Sequence, residues 1–226
     1  MTQAFFGPSF AAERQVADVK GLPERAASQA SSFVSVEPEV SPFWKQKKNV
    51  YRKIKDERAV VVLVKSDENL GDMKNPSKLL MQGAGHIRAS RGFAFNVAKN
   101  FEDLPKVSST IQVAKFDTHR NMLHLVTSAL GYEAQMWLQV DLRESEKGSD
   151  IRFVIRRGVF TGMTGVVRFS EVGRKNTEVS LVADYRYKEL PVPKFFVSFG
   201  LEVVLQRVAI KMRSYIEDRY KEATST

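Results

Sequence analysis

The chain has 226 residues, no cysteine and a formal charge of +9. An apolar share of 43% is enough for a core without disulfides or metals, and the lack of cysteine excludes a disulfide scaffold, thiolate zinc sites and cysteine nucleophiles. The length suits one domain with an appendage, or at most two small domains. The excess of Lys and Arg points towards anionic surfaces, meaning phospholipid head groups, nucleic acid or acidic ligands, or else simply to a soluble protein of high pI. No stretch approaches the roughly 20 apolar residues needed to span a bilayer.

Residues 1–12 carry no charge, and Ser9-Phe10-Ala11 places small residues where a signal peptidase reads, yet a basic leader and a long apolar segment are missing. Two readings stand: the remnant of a signal peptide, which would make the protein periplasmic or otherwise exported, or a frayed terminus of a cytoplasmic one. Residues 13–42 are rich in Ala, Ser, Gln, Glu and Pro and read as a loosely attached arm. The expected division is therefore an N-terminal arm over 1–44 and a domain over 45–221. Phe43-Trp44-Lys45-Gln46-Lys47-Lys48 mixes aromatics with cations; it either sits at a membrane interface or docks its rings on the core and leaves its lysines in water.

Ala59–Val64 is a β-branched run and predicts a strand. Asp67–Ser77 predicts a loop, and Leu79–Ala89 the returning strand, with Gly83 and Gly85 permitting a bulge. Ser90 suits a helix N-cap, and Phe93, Val97 and Phe101 recur every fourth residue, which predicts a short amphipathic helix ending before Pro105. From Ser109 to Lys188 the period changes to two. Ile111, Val113 and Phe116 open it, Tyr132–Arg143 alternates cleanly, and Gly131, Glu144–Asp150 and Gly173–Asn176 mark turns. Strands joined by tight polar turns predict an antiparallel meander with one buried face.

Pro191-Val192-Pro193 then precedes a long helix over Lys194–Tyr220. The row Leu201, Leu205, Val208, Met212, Tyr215 has the spacing of a buried helix face. Phe196, Phe199 and Val203 widen that face in its first turns only. The expected fold class is thus α+β, a curved antiparallel meander wrapped around a long C-terminal helix.

This order resembles the START/Bet v 1-like superfamily, also called SRPBCC or helix-grip, and is similar to its bacterial polyketide-cyclase/START-like members. The residues that carry the resemblance are GHIRASRGFAFNVAKNFEDLPKVSSTI (Gly85–Ile111), the turn-rich meander to Lys188, and LPVPKFFVSFGLEVVLQRVAIKMRSYIE (Leu190–Glu217). These are patterns of apolarity and proline rather than catalytic signatures, and residues 1–58 have no counterpart in the family. The resemblance implies a deep apolar cavity between sheet and helix, used for lipids, sterols, quinones or polyketides. The residues themselves agree: Met136, Phe153, Ile155, Phe169, Leu181, Tyr185 and Tyr187 on the sheet, faced by Phe196, Phe199 and Val203, bring more aromatic bulk than a tight contact needs. The alternative is that these side chains fill the core completely.

The function expected is binding or transport of a hydrophobic, lipid-like ligand without catalysis. A cyclase/aromatase-type enzyme using the same cavity is the second reading, with Tyr185, Tyr187 and His124 as the nominees for acid–base work. An interaction module with a vestigial cavity is the third. His119 and His124 are five apart in extended chain and fall on opposite faces without a carboxylate cluster, so no metal is expected, nor any cofactor. Arg152, Arg156 and Arg168 form an outer basic band expected to meet an anionic membrane surface. Nucleic acid is not expected, because the aromatics are not interleaved with these cations as stacking platforms.

Overall fold

A computed structural model describes residues 42–67, 77–129, 131–188 and 196–225. The expected signal-peptide remnant, nearly all of the arm, the Pro191–Pro193 segment and most of the predicted loop over 67–77 lie outside the described residues. Eight antiparallel strands form one curved sheet: β1 (Val61–Asp67), β2 (Ser77–Ile87), β3 (Ile111–Asp117), β4 (Met122–Ala129), β5 (Tyr132–Ser145), β6 (Gly148–Gly158), β7 (Thr164–Gly173) and β8 (Asn176–Tyr187). Their order across the sheet is β1-β2-β8-β7-β6-β5-β4-β3. The meander β3–β8 therefore consists of successive hairpins, and β2 returns beside the last strand. The C-terminal helix α5 (Leu201–Thr224) lies in the sheet's concave face, which makes the architecture α+β.

The curvature has local causes. A β-bulge places two residues of one strand against one of its partner and bends the sheet. The β5–β6 ladder shifts register between Trp137 and Leu138, the β3–β4 ladder between Ile111 and Val113, and the β7–β8 ladder between Glu171 and Gly173. The shift at β3 also reverses the alternation expected there, so that Ile111 and Ala114 are buried while Val113 is only half-buried. Gly83 and Gly85 do not form a bulge, because β2 pairs without interruption with both neighbours. They instead let β1 lie close: a Cβ on Gly85 would sit 3.2 Å from the Val60 side chain.

Between β2 and β3 the chain forms α3 (Arg91–Ala98), a 3₁₀ turn (Phe101–Asp103) and α4 (Leu104–Val107). The single helix expected here breaks at Lys99, and Pro105 sits in the first turn of α4 rather than after a helix end, where its missing N–H costs nothing. The buried face of α3 is Ala94, Phe95 and Ala98, with the Phe95 ring edge-on to Phe169 of β7 at 5.6 Å.

Two helices precede the sheet, α1 (Phe43–Gln46) and α2 (Lys48–Asp56). Alternation along β2 and β8 sends Leu79, Met81, Ala183 and Tyr185 into the main core and Ala84 and Val182 to the opposite face. On that convex face Trp44 and Ile54 are buried against Ala84, flanked by Phe43, Val50, Val61 and Val182. The rings thus dock on the sheet while the lysines around them stay in water. Gln82 accepts a hydrogen bond from the Phe43 backbone N–H at 3.1 Å, which ties α1 to β2.

Replacing Trp44 by Ala removes the main anchor of this back-face cluster. A fully buried Trp→Ala change costs about 3–5 kcal/mol, so the urea unfolding midpoint of the variant should fall by a corresponding amount.

Candidate functional site

The outward edge of β1 faces α5 instead of another strand. Its backbone groups are met by one stripe of helix side chains at spacings of four, seven and four: Glu202, Gln206, Arg213 and Glu217. Val64 N–H donates to Glu202 Oε2 at 3.4 Å, Gln206 Nε2 donates to the Val60 carbonyl at 3.0 Å, and Arg213 Nη1 donates to the Arg58 carbonyl at 2.6 Å. Glu217 pairs with the Arg58 guanidinium and accepts the Arg88 backbone N–H at 2.8 Å. These bonds hold the helix alongside the edge strand along nearly its whole length.

The far end of α5 is pinned separately. Tyr215 O–H donates to Asp103 Oδ2 at 3.0 Å, and Lys106 Nζ lies 2.6 Å from the other carboxylate oxygen. The Lys106 hydrogen bond, with that of Tyr215, holds the Asp103 carboxyl below its usual range despite the opposing effect of burial. Burial and this same bond raise the Tyr215 hydroxyl above its ordinary value. Tyr220 packs edge-on against Phe93 of α3 at 5.0 Å. The inner row of the helix is therefore Leu201, Leu205, Val208, Met212 and Ile216, with Ile216 taking the place expected of Tyr215.

Between these restraints the middle of α5 packs only partly against the sheet. A cavity of about 300 Å³ lies beneath it. Leu205, Val208, Met212 and Ile216 form its roof, Leu138, Val140, Ile151 and Phe153 part of its floor, and Ala98, Phe101 and Leu104 one end. Val167, Phe169, Val179 and Leu181 line it from β7 and β8, and Val60, Gly83, Gly85 and Ile87 from the β1–β2 side. The polar residues of this lining are Ser180 and Arg213. Arg213 is also the residue that reaches across to the β1 edge.

Of the residues singled out from the sequence, Phe153, Phe169 and Leu181 line the cavity. Met136, Ile155, Tyr185 and Tyr187 belong to the packed core beside it. The Tyr185 and Tyr187 rings stack at 5.5 Å, and Phe160, brought inward by the β6–β7 turn, meets Tyr185 edge-on at 5.6 Å. Met163 and Val197 are buried in the same region. Phe199 is 71% exposed on the short π-helical turn Phe196–Gly200, and Val203 is half-buried outside the cavity. The side chain of Phe196 lies outside the described residues. The cavity is thus lined by Leu205 to Ile216 of the helix and not by Phe199 or Val203. The row Leu205–Val208–Met212, expected as ordinary packing, forms its roof.

The acid–base nominees are elsewhere too. His124 lies outside the cavity, stacked on Trp137 at 4.6 Å and within 2.8 Å of Gln135 Nε2; burial, then nearby Lys115, lowers its pKa. Burial and the neighbouring Tyr187 raise that of Tyr185. Among the described residues no group of His, Asp or Glu side chains could hold a metal ion. Arg152 and Arg168 converge on Asp150, at 3.3 and 3.0 Å, and Arg156 bonds to Gln139 at 2.8 Å. The expected basic band is therefore partly neutralised. Burial alone would raise the Asp150 pKa, but the two arginines outweigh it and lower it.

No family model matches the sequence, and no curated protein matches it. Solved structures do match. A START superfamily protein from Mycobacterium smegmatis superposes with a TM-score of 0.52 at 17% identity over 62% of this chain and 97% of its own. The Zhui aromatase/cyclase from Streptomyces sp. R1128 gives 0.52 at 12% identity, over 65% and 96%. A STAR-related lipid transfer protein from Xanthomonas axonopodis gives 0.52 at 8%, over 68% and 98%. The chain has the START/Bet v 1-like, helix-grip fold. The inner row of α5 carries the clearest signal for this site in the sequence. The polar stripe beside it carries none, because its partners are backbone groups far away in sequence.

Two outcomes test this geometry. Tyr215→Phe should lower stability by about 1.5–3 kcal/mol through loss of a hydrogen bond to a charged group. Folding favours ionised Asp103, so its contribution is complete above the ordinary value of 3.8 and fades as pH falls through the lower folded value. The stability gap between wild type and Asp103→Asn should close in acid. Separately, a Cβ on Gly165 would overlap the Phe153 ring and sit 2.9 Å from the Ala183 Cβ. Gly165→Ala should push that ring into the cavity, and a structure of the variant would show a smaller void.

Proposed function

We propose that the protein binds and carries a hydrophobic, lipid-like molecule in this cavity without transforming it. The observation that carries the reading is the void itself. Leu205, Val208 and Met212 are core-facing apolar side chains left half-buried because nothing fills the space opposite them. The space is apolar and partly open, and side chains that face it without packing partners lose dispersion contacts. An apolar ligand would restore those contacts. The volume is at the lower end of small-molecule sites, about 300–1,000 Å³, and suits one acyl chain or a compact ring system better than a two-chain phospholipid.

Two of the structurally similar proteins, the lipid transfer protein and the aromatase/cyclase, support a hydrophobic substrate for such a cavity. An enzyme of the cyclase type would need acid–base groups inside. Among the described residues the polar lining consists of Ser180 and Arg213, and an arginine is a poor proton donor at neutral pH. Arg213 can instead orient a carboxylate or carbonyl head group of the ligand, in keeping with a cavity that binds rather than reacts.

Uptake of an uncharged apolar fluorophore tests the reading. Wild-type protein should enhance its emission and release it in competition with fatty acids, whereas Val167→Phe together with Ala209→Phe, both in the cavity lining, should fill the void and abolish uptake. Absence of uptake by wild type, with no apolar compound extracted from the purified protein, would refute it.

A further inference from the structure

The chain from Lys45 to Lys55 carries six cations, Lys45, Lys47, Lys48, Arg52, Lys53 and Lys55, all exposed. Lys45 approaches Glu178 at 3.7 Å; the other five form no ion pair among the described residues. They are not a solvated tail. Ile54, fully buried, and Val50 one turn before it clamp α2 to the convex face of the sheet, and Trp44 clamps α1. The helical period then puts Lys48, Arg52 and Lys55 on the side opposite Val50 and Ile54, as one outward ridge, with Tyr51 exposed beside it. A rigid, lysine-rich ridge with a single amphipathic ring suits a diffuse anionic surface. Nucleic acid without sequence preference would call for several stacking platforms, and this ridge has one. The Arg152 and Arg168 guanidiniums on the same sheet, in contrast, share Asp150. The ridge also leads through Arg58 into Val60, which lines the cavity.

We propose that the Lys48–Arg52–Lys55 ridge of α2 docks the protein on an anionic lipid bilayer. Each cation held near such a surface contributes attraction that falls off within a Debye length. The docking stands on the ridge alone and not on the cavity.

The test is co-sedimentation of the full chain with phosphatidylcholine vesicles, with and without phosphatidylserine. Binding should need phosphatidylserine and weaken as salt rises. The triple variant Lys48→Gln, Arg52→Gln, Lys55→Gln should lower the partition coefficient on the order of a hundredfold, while Arg156→Gln binds like wild type. All three substitutions are at exposed positions, and fluorophore uptake by the triple variant reports that it is folded. Equal binding by the triple variant, an equal loss in Arg156→Gln, or no binding to the anionic vesicles while fluorophore uptake persists would overturn the docking and leave the cavity reading intact. Loss of binding to a short DNA duplex by the triple variant, with vesicle binding unchanged, would overturn it in favour of nucleic acid.

Discussion

A sheet that does not close into a barrel leaves a strand edge with unpaired backbone groups, and such an edge must be covered. Here the cover is α5. Its stripe Glu202, Gln206, Arg213 and Glu217 takes the hydrogen-bonding groups of β1 and its flanks where a ninth strand would stand. A helix that satisfies an edge strand sideways cannot also press fully onto the floor of the sheet. The Asp103–Tyr215 bond and the Phe93–Tyr220 contact hold the other end at a similar height. The cavity is what remains between two sets of polar restraints, and its apolar lining follows from the inner row of the same helix.

The distribution of aromatic residues sharpens this. Bulky rings are placed where the space is closed: Tyr185, Tyr187 and Phe160 at one end, and Phe95 with Phe169 where α3 meets β7. Around the void the side chains are mostly aliphatic, and the glycines of β2 remove what would otherwise project into it. Phe153 leans over a glycine, Gly165, in a position to adjust the volume. Packing density is therefore graded along the helix, tight at its start and open at its middle.

Charge is also divided by face. On β6 and β7 Arg152 and Arg168 share Asp150, and the pKa of buried Glu178 is lowered chiefly by His86 and also by Lys45 of α1. Such internal pairing consumes cations without producing an external field. The ridge of α2 has no such partners among the described residues. Part of the chain's net positive charge is thus gathered on the outward face of α2.

Much of the architecture was legible in the amino-acid order alone. Period-two alternation over 109–188, the polar turns and the apolar row of α5 determine a meander and a long helix, since each depends on neighbours a few residues away. Phe153, Phe169 and Leu181 could be assigned to the inner face for the same reason. Tertiary structure decided where along that face the space would be. The inward fold of Phe160 and Met163, the bulges that reset strand phase, and the pairing of α5 with the β1 edge all join residues distant in the chain, and periodicity carries no signal for them. It also decided that Trp44 is an anchor and its neighbouring lysines a surface, because burial depends on the sheet that residues far downstream provide.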